Sequence, residues 1–318
     1  MTRTGTAPPP AAGRGRAWLA LLAVYLLWGS TYTGIQVAVR QLPPLLMAGS
    51  RYLLAGVLVY ALAGHSGGWR WIRLGRAQVL SAAVVGLFLL LGGNGLVTLA
   101  ELRVPSGIAA LVIATVPLWM ALLSRRLGSA PGPGALGWVG VLIGLVGVGV
   151  LVDPSSHAHL SWLPTVGLLL AAILWAVGSL YARTAPLPEN VLLASAVEMM
   201  AGGLAMLLLG LAAGEGGQLH LGQVSGATAV AYVWLVLGGS ILGFTCYAYA
   251  LQRLPPATVA TYAYVNPPVA LVLGWTILGQ GLSPAAGLAA LLITAGVVLM
   301  VSGPALSRRG RRRAPSRP

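Results

Sequence analysis

Apolar residues run along this chain in blocks of about twenty, the length of helix that crosses a bilayer core of ~30 Å. Ten such blocks can be marked, at 17–39, 44–64, 77–100, 104–124, 134–152, 162–182, 190–213, 226–252, 256–279 and 283–303. Short connections separate them, as suits helices that are neighbours in space. The pattern predicts an all-α polytopic membrane protein. Residues 1–16 and the end of the chain after 303 are Pro-, Gly- and Arg-rich and read as tails, disordered in 1–15 and 307–318.

The composition agrees with the pattern. Of 318 residues, 57% are hydrophobic and 8% charged, against roughly 25% charged in a soluble domain. The net charge of +14 does not point to nucleic acid, because the basic residues lie in short loops and tails. Every basic residue is Arg, which also fits an Ala-, Gly- and Pro-rich chain from a GC-rich genome. Cys246 is the sole cysteine, which excludes an intrachain disulfide and a cysteine metal site. The first apolar block has no small-residue cleavage site before polar sequence, so it reads as a retained helix and not a signal peptide.

Arginine placement predicts orientation. One side collects Arg3, Arg14, Arg16, Arg70, Arg73, Arg76, Arg125, Arg126, Arg183, Arg253 and six more in the C-terminal tail; the other has Arg40 and Arg103. The rule then places both termini in the cytoplasm, with Glu101, Asp153 and Glu215 on the far side. The plainer reading of the basic tail at 304–318 is a cytoplasmic anchor attracted to anionic lipid.

The chain repeats internally. At an offset of 150, Ala100, Arg103, Pro105 and Pro117 match Ala250, Arg253, Pro255 and Pro267; at 147, Trp28, Ala48 and Gly56 match Trp175, Ser195 and Gly203. Each half, 17–152 and 162–303, holds five spans, joined by a linker at 153–161 predicted outside. Five is odd, so the second half enters the membrane from the opposite side. Inverted repeats with a site near the midplane build many secondary transporters.

At the 147 offset Arg51 matches Glu198, the one acid well inside a span. Both lie roughly 11 Å deep in a core of ~30 Å, at levels about 8 Å apart. Pairing, directly or through water, is feasible. A central acid costs roughly 2.5–3.5 kcal/mol to insert and usually faces a cavity or a partner. Glu198 is therefore a substrate contact or a proton-coupling acid on one reading, a structural ion pair on the other. Arg51 either snorkels to the interface or clamps an anionic group.

Other candidates follow from spacing. Trp28 and Tyr32, four apart, form a substrate wall or ordinary packing. Tyr262 and Asn266 share a face and are candidate cavity residues. Asn94 sits among glycines as a cavity amide or interhelical glue. Pro117, Pro267 and Pro268 kink their helices, freeing carbonyls such as those of Ile113 and Ala263; the kinks serve a gate or static packing. Gly140 with Gly144, and Gly239 with Gly243, have the spacing of close helix packing. No cofactor motif is visible. His157 and His159 with Asp153 are a weak metal pattern. With no paired carboxylates in one span and no nucleophile beside a base, the chain is not read as an enzyme.

The stretches "WGSTY" at Trp28, "PPLLMAGSRYLLAG" at Pro43, "GNGLVTLAE" at Gly93, "VPSGIAALVIATVPL" at Val104, "AVEMMAGG" at Ala196 and "TYAYVNPPVALVLGW" at Thr261 carry a resemblance. The chain resembles the drug/metabolite transporter superfamily, specifically its EamA-type exporters and their YedA-like members, over about 17–303. The resemblance implies ten helices in two inverted five-helix repeats, a central cavity and export of small organic solutes by alternating access. It also implies an acid after the fourth and ninth helices; here Gln280 occupies the second place and the first has none. A lipid flippase, or an uncoupled facilitator or channel of the same fold, is the alternative.

Overall fold

The computed structural model describes residues 11–67, 74–126, 135–152, 162–251, 253–254, 259, 262–281 and 283–313. Among these residues there are helices and turns and no strand. In chain order the helices are α1 (Ala11–Ala38), α2 (Pro44–Gly67), α3 (Arg76–Gly86), α4 (Leu96–Ala100), α5 (Ser106–Ile113), α6 (Val116–Arg126) and α7 (Ala135–Val152). They continue with α8 (Trp162–Ala182), α9 (Val191–Ala212), α10 (Gly226–Trp234), α11 (Gly243–Leu251), α12 (Tyr262–Leu278) and α13 (Pro284–Arg313). A π-helical stretch, Leu87–Gly95, joins α3 to α4, and a second, Leu235–Leu242, joins α10 to α11. Each of the ten apolar blocks thus carries helix. Six are long and apolar enough to span a membrane on length and composition; four shorter apolar helices lie in the fourth, fifth, ninth and tenth blocks.

Both end helices run past their predicted limits. α1 begins at Ala11 and α13 reaches Arg313, so part of each expected tail is helical. Ala and Arg are strong helix formers, and an established helix extends through them at little cost. The arginine side chains of the C-terminal tail, and the linker at 153–161 with His157 and His159, lie outside the described residues.

Helix packing follows the repeat. The first span packs on the eighth and ninth, as the sixth packs on the third and fourth. The second packs along the seventh and the fifth along the tenth. Exchanging the halves maps each set onto the other. The second and seventh spans show the relation atom by atom. A Cβ on Gly203 would lie 2.8 Å from the Gly49 carbonyl and 2.6 Å from the Leu53 amide. One on Gly56 would lie 2.9 Å from the Ala196 carbonyl and 2.9 Å from the Met200 amide. These triplets are one contact seen twice, related by the 147 offset. The backbones approach so closely only because neither glycine carries a side chain.

The first amides of a helix have no partner within it and need one elsewhere. Asn190 caps α9 by accepting from the Leu192 and Leu193 amides at 3.0 and 3.4 Å. Glu215 caps α2 from a distant turn. Its carboxylate accepts from the Leu45 and Leu46 amides at 3.2 and 2.9 Å, and it is buried. A carboxylate at a helix N-terminus also meets the positive end of the dipole. Glu215 is thus an internal strut, not a freely solvated loop acid.

Candidate functional site

A cavity of about 840 Å³, its mouth included, opens between the halves. The first half contributes Trp28, Thr31, Tyr32 and Ile35 from α1, Arg51 and Tyr52 from α2, Gly93, Asn94 and Val97 from the third span, and Ala110, Ile113, Ala114 and Val116 from the fourth. The second half contributes Ala171 and Trp175 from α8, Gly239 and Phe244 from the eighth span, and Tyr262, Ala263 and Asn266 from α12. Most of the wall is apolar or aromatic, with a few polar groups, as ligand sites usually are.

Local backbone irregularities in both halves border this space. The π stretches contain Gly93 and Asn94 on one side and Gly239 on the other. A π turn widens the helix and is frequent at functional sites. The fourth span breaks outright: α5 ends at Ile113 and α6 starts at Val116. Pro117 therefore stands in the first turn of α6, where a missing amide costs nothing. Thr115 covers the break, its Oγ1 donating to the Val112 carbonyl at 2.6 Å. Pro267 and Pro268 instead lie inside a continuous α12, Pro267 buried and Pro268 exposed. Ile113, at the break, and Ala263, four residues before Pro267, both line the cavity.

One wall is an aromatic cluster. The Trp28 ring lies 5.3 Å from Phe244, 5.1 Å from Tyr247 and 5.0 Å from Tyr262, and Tyr247 lies 6.0 Å from Tyr262. The Trp28 indole donates to the Gly239 carbonyl at 3.1 Å, and its repeat counterpart Trp175 lines the same cavity. Each such aromatic pair contributes roughly 0.5–1.5 kcal/mol beyond area burial. Asn266 fixes α12 against α1, its amide donating to the Tyr262 carbonyl at 3.1 Å and the Tyr25 carbonyl at 3.3 Å.

Arg51 puts one buried charge on the cavity wall. Arg51 is 2% exposed, so it does not snorkel to the interface. One Nη donates to Asn94 Oδ1 at 3.4 Å, and its guanidinium lies 4.2 Å from the Tyr52 ring centroid. Its Nε and other Nη have no hydrogen-bond partner. The acid whose charge it meets is Glu101, just past the end of α4. Glu101 is 2% exposed, with neither oxygen hydrogen-bonded.

Six of the seven sequence candidates, Trp28, Tyr32, Arg51, Asn94, Tyr262 and Asn266, thus border one space, and Glu198 does not. No hydrogen bond joins Glu198 to Arg51 among the described residues. Glu198 sits on α9 beside α3, where its own backbone would meet a Cβ on Gly86. The ring that feels its charge is Tyr247 of the aromatic cluster. Thr31, Tyr52, Trp175 and Phe244, which carry no distinctive pattern beyond the repeat, also line the cavity, and Tyr247 packs against Trp28 and Tyr262. For Trp175 the repeat match to Trp28 was a usable signal. Glu101, placed by the charge pattern on the far side with Asp153 and Glu215, is buried.

Apart from the cavity lining, polar side chains tie three segments together. Gln36 Nε2 donates to the Val104 carbonyl at 3.3 Å, while its Oε1 accepts from the Ser106 amide at 2.8 Å. Gln280 Nε2 donates to the same Gln36 oxygen, and Gln280 Oε1 accepts from Ser106 Oγ at 3.2 Å. Gln280 reaches there because Gly279, at φ 65°, turns the chain back after α12. A neutral amide both donates and accepts in this network.

The sequence matches the EamA-like transporter family over residues 15–152 and again over 162–302. The chain belongs to that family. It is a multi-pass membrane transporter of the drug/metabolite superfamily. The uncharacterized inner membrane transporter YedA of Escherichia coli K12 is 42% identical over 291 residues, 89% of this chain and 90% of YedA. A probable terminal-alkyne amino-acid exporter of Streptantibioticus cattleyicolor is 29% identical over 95% of this chain and 98% of its own length. A probable amino-acid metabolite efflux pump of Salmonella typhimurium is 26% identical over 94% of this chain and 98% of its own. A solved crystal structure with 21% identity superposes at a TM-score of 0.64 over 94% of this chain and 99% of that one, showing the same fold. The two family segments correspond to the two groups of five spans.

Proposed function

We propose that this protein exports small organic solutes, amino-acid-like metabolites or drugs, across the bacterial inner membrane by alternating access, with both termini in the cytoplasm. The observation that carries the reading is one cavity lined from both inverted halves, bordered by a π segment from each. A site shared by two halves of opposite orientation can be opened toward either face by rocking one half against the other. Relatives named as an amino-acid exporter and a metabolite efflux pump support the solute class and the direction. The inner-membrane relative supports the location.

In this reading Trp28, Tyr32, Tyr262 and Asn266 hold the solute, with Arg51 and Asn94 supplying polar contacts. The interrupted fourth span and the proline-bearing α12 flex during exchange. Protons are the proposed coupling ion, exchanged at Glu198, whose neighbour Tyr247 belongs to the aromatic wall. The test is solute export from proteoliposomes loaded with an amino-acid and drug panel, with and without a pH gradient, for wild type and Glu198→Gln. Gradient-driven export lost in the variant, with solute binding retained, supports the assignment. Equal export by both proteins removes Glu198 from coupling.

A further inference from the structure

We propose that polar clasps between the two halves hold the outer end of this carrier shut, so that the resting protein receives solute from the cytoplasm. Gln36 and Gln280 are the positioning residues that set this resting state. The proposal rests on the transport reading above and on the orientation given with it.

Antiparallel succession puts one set of helix ends on one face: the ends of the first, seventh and ninth spans and the starts of the second, fourth and eighth. With the N-terminus in the cytoplasm, this face is the outer one. Three clasps join the halves there. Gln36 Oε1, of the first half, accepts from the Ser106 amide at 2.8 Å and also from Gln280 Nε2 of the second half. Gln280 Oε1 in turn accepts from Ser106 Oγ at 3.2 Å. Gln41 Oε1 accepts across the halves from the Ser225 amide at 2.9 Å and from Thr228 Oγ1 at 2.7 Å. Glu215, reaching the other way, accepts from the Leu45 and Leu46 amides.

The clasped end lies beyond the cavity. The lining reaches Ile35 and Ala110; Gln36 and Ser106 stand one and four residues nearer the outer face. Ser106, Thr228 and Glu215 are buried, and a hydrogen bond made away from water is stronger than one at the surface.

The inner end cannot copy the two glutamine clasps. The 147 offset carries Gln36 to Arg183 and Gln41 to Pro188, and the 150 offset carries Ser106 to Pro256. Proline has no amide to donate, and an arginine side chain donates but does not accept. Leu192 and Leu193, the counterparts of Leu45 and Leu46, are capped by Asn190 of their own half, so that cap does not hold the halves together. A side-chain bond that does join them at the inner face, Tyr181 Oη donating to Ser81 Oγ, is long at 3.5 Å. Two halves of like fold but unlike ends do not rock freely between equal states; the clasped face is the one that stays closed.

The experiment times access to the cavity from each side of the membrane. Thr31→Cys in a Cys246→Ala background puts one thiol on the cavity wall. A membrane-impermeant thiol reagent is added to right-side-out and to inside-out vesicles. This parent protein should label faster from the cytoplasmic side than from outside. Adding Gln280→Ala, which removes two side-chain bonds, should speed labelling from outside roughly fivefold and slow it from the cytoplasmic side. Gln41→Ala, in a separate clasp, should act in the same direction more weakly. A parent that labels no faster from the cytoplasmic side overturns the proposal without any clasp variant. So do unchanged rates in both variants, or faster labelling from both sides, the mark of a merely loosened protein. Faster labelling from the cytoplasmic side alone overturns the outward assignment together with the orientation. No arm uses a transported solute, so export that persists after such a result leaves the transport reading standing, and export that fails counts against that reading separately.

Discussion

The inverted repeat makes a prediction about Gly203 that can be worked from distances. In Gly203→Ala the new Cβ would sit 2.6 Å from the Leu53 amide and 2.8 Å from the Gly49 carbonyl, where ordinary contact starts at 3.4 Å. Both neighbours are backbone and cannot swing aside, so α2 and α9 must part by about 0.8 Å. Overpacking of this kind costs about 1–3 kcal/mol. The better helix propensity of alanine returns up to ~1 kcal/mol. The net expectation is a loss of about 0–2 kcal/mol, and of about 1–3 kcal/mol relative to an alanine placed where nothing is in the way. Gly56→Ala meets the equivalent atoms at 2.9 Å and should lose stability in the same direction by a smaller amount. Gly167 has nothing within 4 Å of its Cβ position, so Gly167→Ala should be neutral or stabilising. The assay is thermal or denaturant unfolding of the three variants in one detergent. A Gly203→Ala protein as stable as Gly167→Ala would refute the close two-fold contact between these helices.

Other consequences follow from named contacts. Gly243→Ala would put a Cβ against the Trp28 indole nitrogen, breaking its bond to Gly239 and displacing the aromatic wall; solute affinity should fall several-fold with folding preserved, read by equilibrium binding. Glu215→Gln should lower stability by about 1–2 kcal/mol, because a neutral amide caps α2 less strongly than a charge at the dipole's positive end; unfolding of wild type and variant side by side measures it. Asn190→Ala should cost about 0.5–2 kcal/mol through loss of the α9 cap, by the same assay.

The membrane architecture was largely legible in the chain, and the reasons differ by feature. Apolar blocks of bilayer length mark the spans because a lipid-facing helix has no choice of composition. The repeat showed through shared prolines and glycines, which backbone geometry constrains. The π stretches were not legible. A shift of hydrogen bonding by one residue leaves the apolar pattern of "LFLLLGGNG" unchanged, although "LGG" recurs at 91–93 and 237–239. Whether Arg51 and Glu198 pair was equally open in the sequence. Depth along a helix can be counted from sequence, but rotation about its axis cannot, and in the structure Arg51 donates to Asn94 and not to Glu198. The burial of Glu101 and Glu215 arises from tertiary contacts that no local pattern carries.

The central claim is that one cavity shared by the two halves carries solute by exposing it alternately to each face. Solute counterflow in proteoliposomes tests it most directly: vesicles are preloaded in turn with each unlabelled solute of the amino-acid and drug panel, and entry of a labelled trace is followed. The account predicts saturable entry with a transient overshoot for at least one solute, reduced in Trp28→Ala. Entry that rises linearly with concentration and never overshoots would mean an open channel through the same fold, and would contradict it.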